Sequence, residues 1–76
     1  MRKLDPKTRD QLIEQARKLA NEREWNWLEP VEVTASAEGG EPVWIVLTNV
    51  PMRGQNVRIV IRQSDHAVVN AGYLPR

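Results

Sequence analysis

The 76-residue chain is predicted to fold as an α+β domain, a single N-terminal helix packed on a three- or four-stranded antiparallel meander in the order α-β-β-β-β. Two patterns predict it. Apolar residues recur at helical spacing between Leu12 and Ala20, and in the runs 31–38 and 57–62 they alternate with a period of two. Gly39-Gly40-Glu41-Pro42, Pro51 to Asn56 and Gln63-Ser64-Asp65-His66 separate the strand runs, and such short connections suit antiparallel neighbours.

The helix is expected over about residues 5–24. Asp5 can accept hydrogen bonds from the free amides of the first turn, and Pro6 fits the first helical position. Leu12, Ile13, Ala16, Leu19 and Ala20 then form one apolar stripe, and charged residues occupy the opposite side. Pro30 prevents continuation of the helix beyond the Trp25-Asn26-Trp27 segment.

Four strands follow, at about residues 29–38, 42–50, 56–62 and 67–73. In the first, Val31, Val33, Ala35 and Ala37 alternate with polar residues, and Gly39-Gly40 turns the chain. The second, Val43 to Val50, is almost continuously apolar and reads as a central strand. Val57, Ile59 and Ile61 give the third its buried side, and Gln63-Ser64-Asp65-His66 forms the loop into the fourth. The expected core sets Leu12, Ala16 and Leu19 against Val31, Val33, Val43, Ile45, Leu47, Val57, Ile59 and Ile61.

Composition narrows the function. The mass of 8.7 kDa suits one domain, and surface scaling allows about 60% of the extended chain's surface to be buried. Without cysteine there is no disulfide or thiolate metal site to add stability, so self-association is a reasonable expectation. The start Met1-Arg2-Lys3-Leu4-Asp5 lacks the apolar stretch of an export signal, which points to the cytoplasm. Charge is segmented: residues 1–23 carry seven bases and four acids, residues 24–50 five glutamates and no base, and residues 51–76 four arginines and one aspartate. This pattern favours a charged protein partner over a uniformly basic nucleic-acid face.

No catalytic centre is expected. Ser64-Asp65-His66 contains the residue types of a hydrolytic triad, but three successive loop residues do not present nucleophile, base and orienting group to one another; they read as turn formers. Glu29, Glu32, Glu38 and Glu41 lack the close spacing of a metal site, and neither metal nor cofactor is expected.

Two binding surfaces are expected instead. With Val43, Ile45 and Leu47 directed at the helix, alternation sends Trp44 and Val46 to the far face with Arg58, Val60 and Arg62. An apolar face rich in tryptophan and arginine suits a protein partner or a homodimer. The alternative cover for Trp44 is the chain's own Tyr73-Leu74 tail. The second candidate is a small-ligand or single-stranded nucleic-acid site using Trp25, Trp27 and Arg53; against it, the tryptophans are also needed for core volume.

The order of helix, tryptophan-bearing junction, strand with Val43-Trp44-Ile45-Val46, glycine loop and final hairpin Val57 to Val69 resembles small cystatin-like folds, including PepSY-type domains and small bacterial immunity proteins. That resemblance implies a non-enzymatic binding or inhibitory role and transfers no functional residue.

Overall fold

The computed structural model describes residues 5–52 and 54–74. It contains one helix, α1 (Pro6–Glu22), and four strands, β1 (Val31–Glu38), β2 (Glu41–Thr48), β3 (Asn56–Arg62) and β4 (Val68–Leu74). The strands form one antiparallel sheet in the order β1-β2-β3-β4, as the sequence predicts.

Asp5 starts α1 as expected. Its Oδ1 accepts the Thr8 backbone N–H at 2.9 Å and its Oδ2 accepts the Thr8 hydroxyl at 3.1 Å. The helix stops at Glu22 because Glu24 adopts a left-handed conformation (φ 59°). The Glu24 and Trp25 amides then bond back to the Asn21 and Ala20 carbonyls, satisfying acceptors of the last turn. Leu12, Ala16 and Ala20 are fully buried. For a side chain the size of Leu12, burial is worth about 1.5–3 kcal/mol.

Gly39 and Gly40, with φ of 58° and 81°, make a two-residue hairpin of the type that matches strand twist. This turn fixes the register: Glu38 pairs with Glu41, Ala35 with Trp44, Val33 with Val46 and Val31 with Thr48. β1 starts at Val31, after a cis Glu29-Pro30 bond, two residues later than predicted.

The register corrects the predicted core. Trp44 and Val46 face the helix in one cluster with Leu12, Ala16, Ala20, Val57, Ile59 and Ile61, and Trp44 retains 4% exposure. Val43, Ile45 and Leu47 therefore lie on the outer face, in pairs with Arg62, Val60 and Arg58. The physical reason is that β2 is apolar on both sides, so its own alternation cannot choose a face; its pairing with β1 does. Val31 and Val33 must face the core, and their partners follow. The small Ala16 and Ala20 leave volume for the indole between helix and sheet.

The sheet is curled as well as twisted. Arg58 pairs with Leu47 and Glu38 with Glu41, which in a flat sheet sets them about 20 Å apart along the strands. Arg58 Nη2 nonetheless lies 4.0 Å from Glu38 Oε2. The outer face is thus concave along this diagonal, as expected of a saddle-shaped twisted sheet. On this face Val43 and Val60 are 1% and 0% exposed.

Candidate functional site

The outer face comes to a focus where β2, β3 and β4 meet the connection after β2. A shallow groove of about 490 Å³ opens there, lined by Leu47, Met52, Asn56, Arg58, Gly72, Tyr73 and Leu74. Its lining is almost wholly apolar, with Arg58 contributing a guanidinium. Met52 and Leu74 are 64% and 55% exposed, unusual for large apolar side chains so close together.

Met52 is displayed by a tightly built loop. Asn56 is buried, and its side-chain amide donates to the carbonyls of Thr48 at 2.7 Å, Met52 at 3.0 Å and Asn49 at 3.4 Å. Its Oδ1 accepts the Gly54 amide at 2.8 Å. Asn49, itself at φ 59°, donates from its side chain to the Gly54 carbonyl at 3.1 Å. Thr48 Oγ1 accepts the Val57 amide at 2.8 Å. The Asn49 and Val50 amides bond to the Leu28 and Pro30 carbonyls, which ties the loop to the start of β1. Among the described residues of the loop, these bonds hold the backbone on either side of Met52 before any partner arrives.

At the opposite end of the sheet, Arg62 forms ion pairs at 3.0 Å with both Glu41 and Asp65. Asp65 also caps its turn by accepting the Ala67 amide at 3.1 Å. That bond, aided by Arg62, holds the Asp65 carboxyl below the ordinary aspartate range. The hydrogen bond from Arg62 to Glu41, and then that to Asp65, hold the guanidinium above its ordinary value. Asp65 is therefore a turn former, as its place in the sequence suggests.

Of the five residues expected on the far face, Arg58, Val60 and Arg62 are there, whereas Trp44 and Val46 are in the helix-facing core. The Tyr73-Leu74 segment does not cover Trp44. It belongs to β4, and the Trp44 indole meets the His66 ring edge-on with centroids 5.5 Å apart. His66 is held there by the Gln15 side chain, which donates to its carbonyl at 2.8 Å.

Trp25 and Trp27 pack against the core. Trp25 stacks on Tyr73 with ring centroids 5.9 Å apart, and the Arg23 guanidinium carbon lies 5.5 Å from the Trp25 ring centroid. Arg17 stands 6.0 Å from the Trp27 ring centroid. Each ring thus has a partner within the fold, and both indoles also line a hollow with Glu14, Arg17, Lys18 and Asn21. Arg53, the third residue of that expected site, lies outside the described residues. Met52, Leu74 and Leu47 were missed. The Gly39-Gly40 register is the available signal for Leu47, and alternation along β4, where Leu74 pairs with Asn56, is that for Leu74; the position of Met52 depends on the loop's hydrogen bonds and has none.

The chain is a one-helix, four-strand α+β meander with an apolar groove on the sheet face opposite the helix. Comparison with known protein families, with curated proteins and with solved structures yields no match. Among the described residues no helix is long and apolar enough to cross a membrane, and no cluster of three metal-ligating side chains occurs.

Proposed function

We propose that this protein is a non-enzymatic binding module that engages a protein partner through the outer face of its sheet, at the groove of Leu47, Met52, Arg58 and Leu74. The observation that carries this reading is the loop around Asn56, which fixes an exposed methionine beside an exposed leucine. Exposing such side chains costs solubility, and a partner that inserts an apolar group between them recovers that cost. Arg58 at the groove gives the partner its chemistry: an apolar side chain flanked by a carboxylate, which the guanidinium can hold by charge-assisted hydrogen bonds. An inhibitory or immunity-type role is the form of such binding that the cystatin-like resemblance suggests, and a cytoplasmic setting fits a chain without cysteine.

The test is site-specific photocrosslinking in the native host. A photoreactive residue replacing Met52 or Leu47 is expected to capture one discrete protein other than the chain itself, and the same group at Gln11, on the exposed side of α1, to capture none. The purified pair should then lose at least tenfold in affinity on Arg58→Ala. Equal capture from all three positions, or an affinity indifferent to Arg58→Ala, rejects the reading.

A further inference from the structure

The two edges of the sheet differ. β1 carries Glu32 and Glu38, and at its start the Arg9 side chain donates to the Val31 carbonyl at 3.2 Å. Charged residues on an edge strand discourage pairing with other strands. β4 reads Val-Val-Asn-Ala-Gly-Tyr-Leu, without a charge or a proline. Val68, Val69 and Leu74 on this strand are 40%, 41% and 55% exposed.

The backbone groups open at that edge follow from the hydrogen bonds of β3. The Val57 amide donates to Thr48 Oγ1 and therefore points at β2, whereas the Arg62 amide donates to the Ala67 carbonyl and points towards β4. Directions alternate along a strand, so Arg58 and Val60 turn their polar groups to β4, where they meet Gly72 and Asn70. Ala71 and Tyr73, paired with Ile59 and Val57, are left with N–H and C=O directed away from the sheet. Beyond them, a register shift between Val60 and Ile61 interrupts the ladder near Val69.

We infer that β4 pairs with β4 of a second copy, antiparallel about a two-fold axis at Gly72. In this register the Ala71 N–H meets the partner's Tyr73 carbonyl and the Tyr73 N–H meets the partner's Ala71 carbonyl, which satisfies the open groups on both sides. Leu74 comes opposite the partner's Asn70. An uncharged strand meets itself without like-charge opposition, and a two-fold contact closes, whereas β4 joined to a second copy's β1 would continue as an open fibre. The dimer has one continuous eight-stranded sheet with the two outer-face grooves beside the seam. The argument for this pairing uses the edge alone, although Gly72, Tyr73 and Leu74 of the seam also line the groove.

Sedimentation of the full chain at rising concentration is expected to show a species of twice 8.7 kDa, and the amides of Ala71 and Tyr73 to become protected from hydrogen exchange in parallel with it. Ala71→Pro removes one edge donor and should shift the dimerisation midpoint at least tenfold upward; should that variant fail to fold, Val69→Lys at the same edge takes its place. A chain that stays monomeric at millimolar concentration overturns the inference. So does a dimer in which Ala71 and Tyr73 exchange freely, or protection of those amides that appears only when a different protein is added. Arg58→Ala, which tests the groove, leaves the dimer intact.

Discussion

Asn56 connects three carbonyls and one amide of the loop that carries Met52, so the shape of the candidate site depends on one side chain. Replacing it with alanine removes a partner from the Thr48 and Met52 carbonyls and the Gly54 amide, while the Asn49 carbonyl keeps the Met52 amide; a group left unsatisfied away from water costs about 1–3 kcal/mol. Partial relaxation makes the lower end realistic. We therefore expect Asn56→Ala to cost about 2–3 kcal/mol in urea unfolding and to weaken capture at position 52; an unfolding midpoint equal to that of the parent protein contradicts this account. Asn56→Asp should be no rescue, because a carboxylate cannot donate to three carbonyls.

Among the elements, α1 has an unbalanced ends problem: Lys7 sits in its first turn and Glu22 in its last, each opposed to the helix dipole. Asp5 is the acid that offsets this at the N-terminus. The Thr8 amide, with the Thr8 hydroxyl, holds its carboxyl below the ordinary aspartate value. A carboxyl depressed in the folded state adds stability that is fully present above the unfolded value and lost as pH falls through the folded one. Asp65 has the same sign. Stability should therefore be flat near neutrality and decline through the acidic carboxylate range. Asp5→Ala is expected to lower the unfolding midpoint at pH 7 and to flatten that acid decline; acid limbs that superimpose contradict the capping role. Helix and strands were legible from the sequence because cap, stripe and alternation all agreed. The orientation of β2 was not, because both its sides are apolar and only counting outward from Gly39-Gly40 separates them. That single ambiguity moved Trp44 from the core to a binding face, while Arg58 and Arg62, on a strand of unequal sides, were assigned to the outer face without difficulty.

At the scale of the whole molecule, helix, core and loop all serve to leave one curled face uncovered, and the curl draws the β1–β2 hairpin towards the groove through Arg58 and Glu38. Glu38 thus sets a carboxylate 4.0 Å from Arg58 Nη2, and its charge opposes any acidic group that docks on the guanidinium. An acidic ligand would have to offset that repulsion through an apolar group that reaches Met52. Glu38→Gln should raise affinity for the captured partner several-fold, chiefly at low ionic strength where charge counts most, and equilibrium titrations of the two proteins across a salt series will show whether it does.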